Sequence, residues 1–232
     1  MKIGVWQAGQ GKDLVFLHGY LASKESFYPQ INYFSRFYRV TALDFPGFGE
    51  SDPLTQPFSV GDYADWTEQF LKEKNIVFPH VIAHSFGGRV AVKCASRGGI
   101  FDKMVLCGCA GIIPKRGARY RLRVGAYRLV RKVAPRYAET HFGSAEYRTL
   151  SPVMRESYKK IVNEDLREDA EKIARPVLFI NGSKDDQTPL SSIAVYLSRI
   201  RGSRLFVMEG CGHFAHLENP SEFNLAAEEF LQ

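Results

Sequence analysis

A chain of 232 residues, 45% hydrophobic and 24% charged, is long enough to bury a sizeable core in one large domain or one domain with an insertion. It does not have the composition of a disordered, fibrous or disulfide-stapled polypeptide. It has no run of 18 apolar residues and no leader-like opening, and Cys94, Cys107, Cys109 and Cys211 sit in apolar stretches without C-x-x-C spacing, which predicts reduced core thiols in a cytoplasmic protein with no stable membrane insertion.

The opening runs "KIGVWQA" (2–8) and "DLVFLHG" (13–19) read as strands, joined by the turn-like "AGQGKD" into an antiparallel pair. A third strand, "YRVTALD" (38–44), is followed by an amphipathic helix over 59–75, where Trp66, Phe70 and Leu71 share a face. The apolar "HVIAHS" (80–85) reads as a strand buried on both faces and passes through Gly87-Gly88 into helix-forming residues; "KMVLCGCA" (103–110) is the next strand.

The formal charge of +6 then becomes informative. Residues 112–172 hold 15 of the 31 Lys and Arg against 8 acids, and no acid interrupts the nine basic residues from Lys115 to Arg136. This compositional break marks 112–172 as an insertion between a core of 1–111 and 173–232. Within it Tyr120, Val124, Tyr127, Val130 and Ala134 recur at helical spacing, ended by Pro135, and a second helical stretch is expected over 151–173. The core resumes with strand "PVLFING" (176–182), a helix over 190–200 with Ile193, Leu197 and Ile200 on one face, strand "SRLFVMEG" (203–210), and a last helix over 219–231, where Asn219 can cap and Pro220 suits the first turn. Strands alternating with helices predict an α/β fold, a mostly parallel sheet with helices on both faces.

In an open parallel sheet, ligands gather beyond the carboxyl ends of the strands. Here those ends carry His18-Gly19-Tyr20, "DFPGFGES", Ser85, "NGSKDDQTP" and "GCGHFAHLENP", so a serine, an acid and a histidine arrive at one rim in that chain order. A hydroxyl at the end of a buried strand, with glycine just behind it, points to a sharp turn that pushes Ser85 outward as a candidate nucleophile. Other features have simpler readings. His216 stands three residues after His213 without the rest of a metal motif, and the glycines of "DFPGFGES" lack a complete phosphate-binding fingerprint. His84 is expected to pack in the elbow, His18 to support its loop through a hydrogen bond, and Cys211 to fill space. His80 and His141 suggest no function.

Five pieces in this order, "LHGY", "DFPGFGES", "AHSFGG", "GSKDDQTP" and "GCGHFAHLE", resemble the α/β-hydrolases over nearly the whole chain outside the insertion. The family's nucleophile elbow is G-x-S-x-G; Ala83 replaces the first glycine here, a methyl small enough to keep the packing beneath the elbow. A serine hydroxyl needs a base, and the base needs a partner that fixes its tautomer. Ser85 is therefore assigned as nucleophile, His213 as general base and acid, and Asp185 as orienting carboxylate, with Asp186 as the alternative acid. The resemblance implies an oxyanion hole from the main-chain N–H groups of Tyr20 and Phe86. It also implies that 112–172 forms a helical lid, with Tyr120, Val124 and Tyr127 towards the substrate pocket.

The expected activity is cofactor- and metal-independent hydrolysis of small to medium carboxylic esters by a carboxylesterase-like serine enzyme. A serine at the elbow argues against the dehalogenase and epoxide-hydrolase branches, whose nucleophile is aspartate. Carbon–carbon bond hydrolysis of a carboxylate-bearing diketone is the alternative, perhydrolysis and acyl transfer use similar triads, and a non-catalytic ligand receptor is the reading from another class. The partner expected is a small-molecule ester rather than nucleic acid. The basic lid would either be a solvated face or attract an anionic substrate or an acidic membrane surface.

Overall fold

The computed structural model describes residues 1–113 and 149–232. The helix expected to end at Pro135, with Tyr120, Val124 and Tyr127, lies outside the described residues, as does His141. The described strands are β1 Val5–Ala8, β2 Asp13–Leu17, β3 Arg39–Leu43, β4 His80–His84, β5 Met104–Cys107, β6 Val177–Gly182 and β7 Arg204–Met208. They form a seven-stranded sheet in the order β1-β3-β2-β4-β5-β6-β7, parallel throughout except for β1. The described helices are α1 Tyr28–Phe34, α2 Val60–Glu73, α3 Phe86–Gly98, α4 Pro152–Asn163, α5 Arg167–Ala170, α6 Leu190–Arg199, α7 Ala215–Glu218 and α8 Pro220–Leu231.

The side-chain alternation of β2 explains why both faces of the sheet are covered. Leu14 and Phe16 point into one core with Phe27, Ile31, Phe34, Phe223 and Phe230, from the 3-10 turn Lys24–Phe27 and helices α1 and α8. Val15 and Leu17 point into the other with Val60, Tyr63, Val90, Ile193 and Tyr196, from α2, α3 and α6. A period of two makes one apolar run serve both layers. Truncating a ring such as Phe16, which is wholly buried, would cost about 3–5 kcal/mol.

The opening strands are not a hairpin. β1 is antiparallel as expected, but its partner is β3, with Val5 opposite Leu43. Central β2 has both edges taken, by β3 and β4, so β1 can only join outside β3. The connecting segment crosses the start of β3 so closely that a Cβ on Gly9, whose φ is +79°, would stand 2.2 Å from the Tyr38 carbonyl oxygen. The half-exposed residues of β1 suit that edge position.

Local capping accounts for the helix starts. Ser59 Oγ accepts from Asp62 N and Asp62 Oδ2 from Ser59 N, a capping box at α2. Asn219 caps α8 as expected, accepting from Glu222 N at 3.3 Å. Two features differ from the sequence reading. Helix α1 was not expected there, and the stretch 151–173 is two helices rather than one. The break falls where Glu164 is extended and Asp165 Oδ1 accepts from Arg167 N at 3.0 Å. Leu166 N donates to Gly111 O at 2.9 Å and Ile113 N to Asp165 Oδ2 at 3.1 Å, so the chain before and after 114–164 meets at one point. Among the described residues no helix is long and apolar enough to cross a membrane.

Candidate active site

The run that raised Ser85 as a candidate becomes β4, a one-residue turn and α3. Ser85 has φ 50° and ψ −105°, a conformation costing on the order of 1–3 kcal/mol for a residue with a side chain. The surroundings over-determine it. Ser85 N donates to Cys107 O at 2.9 Å, and Ser85 O accepts from Arg89 N and Ala110 N. The glycines behind it are required by close approach: a Cβ on Gly87 would lie 2.1 Å from Leu17 O, and one on Gly88 2.7 Å from Cys109 Sγ. The start of α3 thus presses against the end of β2 and holds the hydroxyl at the rim.

His213 follows β7 and Asp185 follows β6. Lys184 N donates to Cys211 O at 2.9 Å, tying the two loops together. His213 Nε2 stands 3.0 Å from Ser85 Oγ, and His213 Nδ1 is 2.9 Å from Asp185 Oδ2. Asp185 also accepts from Gln187 N, Thr188 N and Thr188 Oγ1 at 2.9, 2.9 and 2.6 Å. Burial opposes its ionisation, but the hydrogen bonds from His213 and Thr188 outweigh burial and hold its pKa at about 2. Asp186, the alternative acid, is exposed, and it is Asp185 that meets the histidine. The charged carboxylate accepts from His213 Nδ1, which turns Nε2 towards Ser85.

The main-chain groups assigned to an oxyanion hole lie beside the serine. Phe86 is the first residue of α3, so its N–H has no acceptor within the helix and stands at the positive end of the macrodipole. The loop carrying Tyr20 backs onto the elbow, since a Cβ on Gly19 would stand 3.6 Å from Ser85 Cβ. His18 supports that loop: its Nε2 accepts from Phe45 N at 3.0 Å and its Nδ1 donates to Gly19 O at 2.7 Å. Burial lowers its pKa to about 4, so the accepting nitrogen stays free of a proton. Below His213, buried His84 donates from Nε2 to the His213 carbonyl at 3.0 Å, and the His216 ring packs 4.5 Å from that of His84.

Ser85 and His213 open into a cavity of about 260 Å³, walled in part by Tyr20, Phe86, Arg89 and Tyr158. Helix α4 provides Tyr158, Ile161 and Val162, and is fastened to the core by Tyr20 OH donating to Met154 O at 3.2 Å and Phe58 N donating to Ser157 Oγ at 2.9 Å. Several residues at the site were not singled out in the sequence, Thr188 and Arg89 among them. Thr188 had a signal, standing three residues after Asp185 in the same loop. Arg89 had none, because it reads as an ordinary position on a helix face.

Residues 14–227 match the model of the alpha/beta hydrolase family, and the chain belongs to that family. It is similar, at 25% identity over 100% of both chains, to a pimeloyl-[acyl-carrier protein] methyl ester esterase of Aeromonas hydrophila. At 24% identity, covering 97% of this chain and 86% of the relative, it is similar to a 2-hydroxy-6-oxo-6-(2'-aminophenyl)hexa-2,4-dienoic acid hydrolase of Metapseudomonas resinovorans. Some other matches are local, one covering 37% of this chain and 32% of its relative. The fold superposes on an esterase from Exiguobacterium antarcticum with a TM-score of 0.79 at 23% identity, over 98% of this chain and 94% of that one. The family, the parallel sheet and the membership of a hydrolase lineage with esterase relatives agree with the reading of the five motifs.

Proposed function

We propose that the protein is a serine hydrolase that cleaves small to medium carboxylic esters through an acyl-enzyme on Ser85. The observation that carries this reading is the unbroken chain from Asp185 through His213 to Ser85 Oγ, with contacts of 2.9 and 3.0 Å, opening on a cavity. His213 takes the hydroxyl proton as Ser85 attacks the ester carbonyl, and the charged Asp185 steadies the imidazolium. The N–H groups of Phe86 and Tyr20 receive the oxyanion, each such donor contributing about 3–4 kcal/mol to the transition state. His213 then protonates the leaving alcohol, draws a proton from water, and the acid is released. Residues 112–172 act as the lid, α4 being its described part over the cavity, and a reducing cytoplasm suits four buried, unpaired thiols.

Hydrolysis of a carbon–carbon bond in a carboxylate-bearing diketone is the second reading, favoured by a buried arginine in the cavity wall and by the dienoic acid hydrolase relative. Parallel assays on chromogenic esters and dienoate diketones separate the two. Ser85→Ala is expected to lower turnover by at least about a thousandfold with the circular dichroism spectrum and melting temperature retained. A fluorophosphonate should label the parent protein at Ser85. Unchanged turnover in the variant refutes the mechanism, and a folded parent that neither labels nor turns over substrate favours a ligand receptor.

A further inference from the structure

Arg89 lies four residues on from Ser85, the residue that caps α3, or about 6 Å along the helix axis, and is only 9% exposed. A guanidinium has five N–H donors in a fixed fork. Nη1 donates to the carbonyls of Ile161 and Glu164, both at 2.9 Å, which holds the end of α4. Among the described residues, nothing accepts from Nε or Nη2. The one nearby acid that could neutralise it is engaged elsewhere: the Glu164 carboxylate pairs with Lys93 Nζ at 2.8 Å. Burial pushes the Arg89 pKa down, but arginine stays charged in proteins.

Arg89 is the one fixed charge among the described lining residues; the rest of the wall is aromatic, aliphatic or neutral polar, as with Tyr20, Phe86, Tyr158, Ile161 and Gln187. The two carbonyl partners of Arg89 do not neutralise its charge, and an incoming carboxylate would do so. The Nε–Nη2 edge has the spacing that takes a carboxylate through two parallel bonds.

From this geometry we propose that the Nε–Nη2 edge of Arg89 is a subsite for a substrate carboxylate, so that the preferred substrates are short acyl compounds bearing an acid at the far end of the acyl chain, such as half-esters of dicarboxylic acids. This inference rests on the reading of Ser85 as the nucleophile of the same cavity and deepens it. A role limited to holding α4 would predict no discrimination between charged and neutral acyl chains.

The test compares kcat/KM for mono-4-nitrophenyl glutarate and for 4-nitrophenyl pentanoate, its uncharged counterpart, in the same protein. The parent is expected to favour the half-ester at least tenfold. Arg89→Met should bring the ratio close to one, and Arg89→Lys, which keeps the charge but not the fork, should lie between. If Arg89→Met fails to fold, the parent ratio and Arg89→Lys decide. A parent ratio near one, or a preference that survives in a folded Arg89→Met, overturns the subsite. Calorimetric titration of Ser85→Ala with glutarate and with monomethyl glutarate needs no turnover. Binding there, weakened by adding Arg89→Lys and abolished by adding Arg89→Met, supports the subsite even if the parent cleaves neither ester and the esterase reading falls; no binding, or binding that survives in a folded Arg89→Met, overturns it.

Discussion

The layer that lines the cavity and the layer directly beneath it use the same side chain in different settings. His213 turns Nε2 to Ser85 at 3.0 Å and Nδ1 to a carboxylate at 2.9 Å. His84 lies with its ring centroid 4.8 Å away and His216 4.5 Å beyond that, but neither is given an acid partner. Burial lowers the pKa of His84 to about 3 and that of His216 well below the usual value. The difference is one of partners: the upper imidazole has a charged acceptor ready for the proton it gains, whereas the lower two are held neutral as shaped, hydrogen-bonding packing.

The largest test of that contrast is His213→Gln, which removes the proposed base but keeps a side chain of similar reach. Turnover of a chromogenic ester is expected to fall by at least about a thousandfold, with a melting temperature near that of the parent. A folded His213→Gln that turns over ester at a rate comparable to the parent would erase the distinction between the layers.

The carboxylate offers the next largest effect. In Asp185→Asn the amide cannot stabilise the imidazolium and can hold the ring in the wrong tautomer, so kcat is expected to drop by roughly a thousandfold or more. Asp186→Asn, one residue on and exposed, should leave kcat within about twofold of the parent. Equal losses at the two positions would mean that loop charge, rather than the 2.9 Å contact to His213, is what matters.

The convergence of Ser85, Asp185 and His213 was legible because each closes a strand, and strand ends of a parallel sheet share a rim. The choice between Asp185 and Asp186 was not a matter of strand position; it depends on how the loop turns so that Gln187 N and Thr188 N reach one carboxylate oxygen. Partner choice for β1 was likewise hidden, since a short amphipathic edge strand carries no local mark of which neighbour it will meet. Arg89 was the least visible. In "SFGGRVAV" it looks like a helix-surface arginine, but α4, more than 60 residues later in the chain, lays its C-terminal carbonyls on it.

The smallest effect tests the lower layer directly, through His84→Phe. The phenyl ring keeps most of the shape but cannot donate to the His213 carbonyl, so the variant should lose about 1–2 kcal/mol of stability at pH 7.5 in urea titrations. The pH dependence should run the other way. Folded His84 resists protonation down to about pH 3, whereas the unfolded chain takes up a proton below about pH 6.5. The stability of the parent associated with His84 is therefore full above 6.5 and declines by roughly 1.4 kcal/mol per pH unit between 6.5 and 3. Asp185 works in a lower window that overlaps only the end of this one, its contribution being lost below its ordinary value of 3.8, towards about 2. Without His84 the acid-side slope is shallower by one proton, so the two stability curves should converge below pH 6.5 and cross near pH 5. Parallel curves across that range would mean that His84 is charged where it lies, and that the two layers differ in geometry but not in protonation.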